Sequence, residues 1–238
     1  MLRMTQRRAM VEKAKRSGEA RIRRAIEPLF ARRFAALKRE LRRSNLRKRL
    51  AKFAGLYKDN GAEWEDWEEE FLAALTAAME KTIDELFAAE NEFWQSRGKS
   101  AKTWNPQEVL ERYQTRVGRK IRNIPDETLE DVQAEISRWF GSEETLPDLI
   151  NSLGKYFDPA RAEMIAITEA TALAAQTAYE MMNYFGIKRW RWDAILDAVV
   201  CPDCAERNGV TYDVEDNDNY PPAHPRCRCG EYFLEDGE

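Results

Sequence analysis

The apolar residues in the first part of the chain recur every three or four positions, which is the spacing of one face of an α-helix. One such stripe runs from Ile22 to Leu41, and Pro28 interrupts it. The proline indicates either a kink or a helix start. A second stripe runs from Trp64 to Trp94. At 1.5 Å per residue this second helix would be a rod of roughly 45–50 Å. The pattern therefore predicts long N-terminal helices.

Prolines and small polar residues divide the middle of the chain into shorter predicted helices. Such residues cap free amides or fit the first helical turn. The helix that begins at Asp158 is expected to end at Gly186, because glycine tolerates the backbone of a C-terminal cap. Alanines four residues apart along it form a smooth ridge that lets another helix approach closely. The predicted starts are Asn105-Pro106, Pro125-Asp126, Thr145 and Asp158-Pro159, and the ridge is Ala162, Ala166, Ala170, Ala174 and Ala178.

The pattern changes after Gly186. Residues 188–193 alternate polar and aromatic side chains, which is typical of a half-buried strand, and Val199-Val200, 210–212 and 232–234 could supply others. We therefore expect a mainly α protein with a small C-terminal α+β lobe. The predicted domains are a long helical region at 1–100, with a basic arm at 1–50 and an acidic helix at 61–95, and a compact domain at 101–238 that includes the lobe at 187–238.

All four cysteines and the single histidine lie between residues 201 and 229. A C-x-x-C pair followed by H-x-x-C-x-C offers the thiolate and imidazole ligands of a tetrahedral zinc ion. Five residues compete for four positions. Cys201 and Cys204 are expected to bind, together with Cys227 and either His224 or Cys229. We predict a structural zinc site that stabilises the lobe at 187–238.

Other uses of these cysteines fit the sequence less well. Disulfides would suit a secreted chain, but the start of the chain has no apolar segment of a secretory signal. A thioredoxin-like pair would need a neighbouring βαβ unit, which the pattern does not show. Zinc deaminases need H-x-E before P-C-x-x-C, and no histidine precedes these cysteines. With one histidine in the chain, we expect no enzyme.

The net charge of −4 conceals a strong asymmetry. Residues 1–50 hold 18 basic and 4 acidic residues, whereas residues 201–238 hold 3 and 10. Such asymmetry suggests a basic arm that meets DNA or another acidic partner; the alternative is pairing with the chain's own acidic helix. The lobe itself would repel phosphates. The residues of the arm predicted to contact DNA or the acidic partner are Arg32, Arg33, Lys38, Arg39, Arg42, Arg43, Arg47, Lys48 and Arg49. The sequence has no run of about 18 apolar residues, so no transmembrane helix is predicted.

Three segments of the C-terminal part form a recognisable series. Residues 161–169 read R-A-E-M-I-A-I-T-E, Trp192 and Asp197 precede C-P-D-C at 201–204, and residues 221–229 read P-P-A-H-P-R-C-R-C. This series resembles the phage Mu F-like minor head proteins, also called phage head morphogenesis proteins. The first segment is similar to the family's R-A-x-x-I-A-x-T-E helix, and the last is similar to its closing signature. The resemblance spans about residues 140–233.

The resemblance implies a structural protein of the virion, in the head near the portal, assembled in the cytoplasm of the bacterial host. Its expected partners are the portal protein and capsid components, with several copies per virion and packaged DNA as a further candidate. Its expected role is head assembly and genome packaging or delivery. The alternatives are a zinc-containing nucleic-acid-binding module and, with less support, a metal-dependent hydrolase.

Overall fold

The protein is described by a computed structural model over residues 3–42, 61–117, 120–216 and 219–234. It is mainly α-helical with one small C-terminal sheet, which confirms the predicted fold class. None of the described helices is long and apolar enough to cross a membrane. The helices are α1 (Met4–Arg42), α2 (Gly61–Ser96), α3 (Pro106–Val117), α4 (Lys120–Phe140), α5 (Leu146–Gly154), α6 (Pro159–Phe185) and α7 (Pro202–Arg207), and the strands are β1 (Arg189–Asp193), β2 (Thr211–Asp213) and β3 (Gly230–Leu234).

Two prolines lie inside helices instead of at their starts. Helix α1 continues through Pro28. Helix α4 begins at Lys120, so the prediction of a helix start at Pro125 is wrong. A proline removes one backbone hydrogen bond, and tertiary packing offsets that loss, since Leu29 and Ile124 beside the two prolines are buried.

The other predicted helix boundaries are close to the observed ones. Thr145 caps α5 in a capping box with Asp148. The Asp158 carboxylate accepts a hydrogen bond from the amide of Arg161 at 2.8 Å, which satisfies one free donor at the start of α6. Gly186 has a φ of 73°, and the following amide, of Ile187, donates to the Met182 carbonyl at 2.9 Å. This is the glycine C-cap that the sequence predicted.

The sheet has the order β2-β1-β3, and both pairings are antiparallel. Trp190 of β1 is opposite Tyr212 of β2 and Phe233 of β3. Trp190 and Trp192 are buried, which matches the alternation of polar and aromatic residues in the sequence. The strand suggested at Val199-Val200 is wrong: both residues lie in an irregular loop, where Val199 is 77% exposed.

The residues group into two compact units. The first contains Met1–Ile22, Ala77–Gly118 and Met164–Glu238, and the second contains Arg23–Thr76 and Arg119–Glu163. Each unit therefore takes segments from both predicted domains, 1–100 and 101–238. That predicted division concerns which parts fold on their own, and it stays a prediction.

Each unit has an aromatic core of its own. In the second unit, the Phe30 ring lies 5.5 Å from Phe71 and 6.1 Å from Trp67. In the first unit, the Trp94 ring lies 4.5 Å from Phe185 and 6.0 Å from Phe233. These rings are buried or nearly so, and large aromatic side chains supply most of the apolar area that such cores remove from water.

Candidate metal centre

The C-x-x-C pair forms the start of the short helix α7. Cys201 is extended, with φ −77° and ψ 155°, and its sulfur accepts a hydrogen bond from the amide of Cys204 at 3.3 Å. Pro202 occupies the first helical position, where its missing N–H costs nothing. This turn directs the buried Cys204 and the half-buried Cys201 to the same side of the chain.

The second arm of the site is the tight turn that leads into β3. The amide of Cys227 donates to the His224 carbonyl at 3.1 Å, and Arg226 between them has a φ of 64°. A non-glycine residue in this left-handed region is uncommon and is found where the surroundings hold it. Here the amide of Arg226 donates to the Thr168 hydroxyl at 3.1 Å, so helix α6 supports the turn.

The two arms bring all five predicted ligands together. The Nε2 atom of His224 lies 3.1 Å from the Cys201 sulfur and 3.3 Å from the Cys204 sulfur. The sulfurs of Cys204 and Cys227 are 3.8 Å apart. The ligand atoms form two groups that share Cys204: one with Cys201 and His224, the other with Cys227 and Cys229.

One of these separations, between the buried sulfurs of Cys204 and Cys227, fits a tetrahedral zinc site. Four ligands at about 2.3 Å in a tetrahedron lie about 3.8 Å from one another, which is the separation of Cys204 and Cys227. Thiolates and imidazole are soft to borderline donors. Zinc prefers such ligands, whereas calcium and magnesium prefer oxygen ligands. His224 lies in the group with Cys201 and Cys204, and Cys229 lies in the group with Cys204 and Cys227, so the choice between them stays open.

The thiols differ in acidity. The amide of Cys204 lowers the pKa of Cys201. The hydrogen bond from Cys229 lowers the pKa of Cys227 to about 5, and that same bond raises the pKa of Cys229. Burial raises the pKa of Cys204 to about 12. A metal that binds these cysteines would displace the protons that the thiols still hold.

Two residues outside the predicted ligand set, Thr168 and Lys15, support the second arm of the site, and the metal-ligand spacing alone did not indicate them. Thr168 holds the turn at Arg226, and Lys15 donates to the Arg228 carbonyl at 2.7 Å. Beside Thr168, the buried Glu169 accepts a hydrogen bond from the Tyr113 hydroxyl at 2.6 Å. Thr168 and Glu169 end the R-A-x-x-I-A-x-T-E segment, which was their only signal in the sequence.

The predicted arm contacts differ in their surroundings. Arg32 is exposed and pairs with Glu70 of the acidic helix at 2.6 Å, as the intramolecular alternative expects. Arg33 is 4% exposed, with its guanidinium 4.0 Å from the Trp64 ring centroid. Arg39 and Arg42 are exposed, and Lys38 is partly so. Arg43, Arg47, Lys48 and Arg49 lie outside the described residues.

Lys38 and Arg42 line an apolar groove in the second unit. The groove has a volume of about 430 Å³ and lies between the last turns of α1 and helix α5. Its other lining residues are Phe34, Leu146, Pro147, Ile150, Asn151 and Gly154. The combination of two cations with apolar walls differs from a wholly charged surface, because it also offers contacts for apolar side chains.

A known protein family matches the part of the chain that contains the Cys/His site. Residues 126–231, which include the whole Cys/His site, match the family model described as Phage Mu protein F like protein. The match confirms the resemblance drawn from the sequence. No curated protein and no solved structure matches the chain.

Proposed function

Because residues 126–231 match the phage Mu protein F-like family model, we propose that the chain is a structural minor head protein of a tailed phage or prophage. It docks at the portal or inner capsid, in several copies per virion, and acts in head assembly and in genome packaging or delivery. The family match carries this proposal, since the family is one of phage head morphogenesis proteins. The chain acts by binding and not by catalysis.

Docking is tested by co-expression with the cognate portal protein and affinity purification through a tag on the portal. We expect the chain to co-purify at low and moderate salt. A chain that never co-purifies, but that hydrolyses DNA or peptides, would contradict the structural role and favour the hydrolase.

The Cys/His site holds one structural zinc ion. Cys201, Cys204 and Cys227 bind it, and either His224 or Cys229 is the fourth ligand. Bound there, zinc links α7 to the turn before β3, and its binding free energy becomes folding free energy of the lobe. The 3.8 Å approach of the Cys204 and Cys227 sulfurs is the observation that supports this proposal.

Elemental analysis of the purified chain tests the metal site, with about one zinc per chain expected. Cys204→Ser should abolish retention, because Cys204 belongs to both ligand groups. Of His224→Ala and Cys229→Ser, the one that lowers zinc content more identifies the fourth ligand. A chain free of metal with intermolecular disulfides would show that the cysteines serve another purpose.

The end of α1 binds an acidic segment of a protein partner. Lys38 and Arg42 supply the charge, and the apolar groove between them and α5 accepts apolar side chains, which a phosphate backbone does not offer. Residues 43–60, which follow directly, contain six basic residues and one acidic residue. Their like charge favours a partner from outside this region as the occupant.

The charge variant K38E/R42E separates the two kinds of partner. We expect it to weaken portal co-purification, whereas the matched variant K81E/K99E, which changes two exposed lysines, should not. Binding of a naked duplex that falls steeply with salt and is lost in K38E/R42E would instead identify DNA as the partner. Loss of both interactions in K81E/K99E as well would refute a local role for the groove.

A further inference from the structure

Helix α1 reaches the metal lobe through a buried lysine. Lys15 is 1% exposed, although lysine is almost never fully buried without a partner. Its ammonium forms an ion pair with Glu12 and donates to the carbonyl oxygen of Arg228 at 2.7 Å. Arg228 stands between Cys227 and Cys229, so the lysine binds the segment that joins a proposed ligand to a candidate fourth ligand.

Two further cations of α1 bind the chain on either side of the site. Arg7 donates to the Glu231 carbonyl at 2.7 Å, two residues after Cys229. Arg8 pairs with Asp193 at 2.9 Å and donates to the Ala194 carbonyl at 3.3 Å. All of these contacts lie within the first unit. Together they attach the N-terminal part of α1 to the lobe.

We infer that α1 is part of the metal lobe and that Lys15 is a positioning residue for Cys227 and Cys229. This inference rests on the proposed zinc site.

The Arg228 peptide links the two cysteines. A C-x-C pair has one intervening residue, so the orientation of that residue's peptide affects where both sulfurs lie. The ammonium of Lys15 fixes the carbonyl of this peptide from a helix 213 residues away in sequence. Residues that orient ligands in this way typically contribute 10–100-fold to metal affinity.

The test is competition for zinc between the full-length protein and a chromophoric chelator. Lys15→Met keeps much of the side chain's volume and removes its donor and charge. We expect its zinc affinity to fall by about tenfold. Lys13→Met is the matched control, because Lys13 lies on the same helix and is exposed; its affinity should equal that of the wild type.

The outcomes separate the inference from the proposal beneath it. A wild-type chain that takes up no zinc overturns the metal site itself and the inference with it. Wild-type protein that binds zinc, with Lys15→Met binding it equally well, overturns the inference alone. If Lys15→Met does not fold, Glu12→Gln replaces it, since it removes the carboxylate that holds the ammonium. We expect a smaller loss of affinity in the same direction, and an unchanged affinity would refute the role of Lys15.

Discussion

The buried ion pair between Arg7 and Glu90 allows a quantitative test of how α1 is held. Both residues are almost inaccessible, at 4% and 1% exposure. The Nε atom of Arg7 donates to Glu90 at 3.0 Å, and a second nitrogen of the same guanidinium also binds this carboxylate. The guanidinium lies 3.6 Å from the centroid of the Phe233 ring. The perturbation is Arg7→Met, which removes the charge and all of these donors.

The expected cost follows from what the substitution leaves behind. Glu90 would remain buried with its main ion-pair partner gone, and breaking such a pair typically costs about 3–5 kcal/mol. Domain stabilities are about 5–15 kcal/mol, so the loss would be a large part of the total. Replacing both partners leaves no unpaired buried charge. The double variant Arg7→Met/Glu90→Met should therefore recover much of the loss.

Urea unfolding at pH 7, followed by circular dichroism, measures these differences. Arg8→Met is the matched control: its pair with Asp193 is partly exposed, and such pairs contribute about 1 kcal/mol or less. The reasoning is refuted if Arg7→Met costs less than about 1 kcal/mol, or if the double variant is less stable than Arg7→Met alone.

Three further outcomes are expected. Ala170→Leu should cost about 1–3 kcal/mol in thermal unfolding, because Ala170 is fully buried and an extra side chain there overpacks the core; the same change at the exposed Ala160 should have little effect. The hydrogen bond from Arg138 lowers the pKa of Glu135, so the stability that Glu135 contributes is present above its unfolded pKa of about 4.5 and is lost as pH falls below it. The stability difference between wild type and Glu135→Gln, measured by urea titration, should therefore shrink between pH 6 and pH 3; a constant difference would contradict this. Thr168→Val should speed zinc loss to a chelator by freeing the Arg226 amide, and an unchanged rate would show that the turn holds itself.

Local features of the sequence were sufficient for most of the secondary structure. Apolar spacing predicted α1 and α2, and the caps at Thr145, Asp158 and Gly186 lie where helices begin or end. These signals are reliable because the residues that satisfy a helix terminus are within a few positions of it. The two prolines inside helices could not be placed from local features alone. Each costs a backbone hydrogen bond, but burial of the neighbouring side chains offsets that cost.

The sequence also identified the candidate metal ligands, because cysteine and histidine at the spacings C-x-x-C and H-x-x-C-x-C are typical of zinc sites. The sequence left His224 and Cys229 as alternatives, and the structure brings both to the site.

What only the tertiary structure decided is the role of individual charges. Arg7, Lys15 and Arg33 belong to the same basic arm in the sequence, yet all three are buried, whereas Arg32, Arg39 and Arg42 are exposed. A charge count cannot distinguish these groups, since the partners that make burial tolerable are a carboxylate, a carbonyl or a ring from distant parts of the chain. Lys15 and the Arg228 carbonyl are 213 residues apart, and only the folded chain brings them within hydrogen-bond distance.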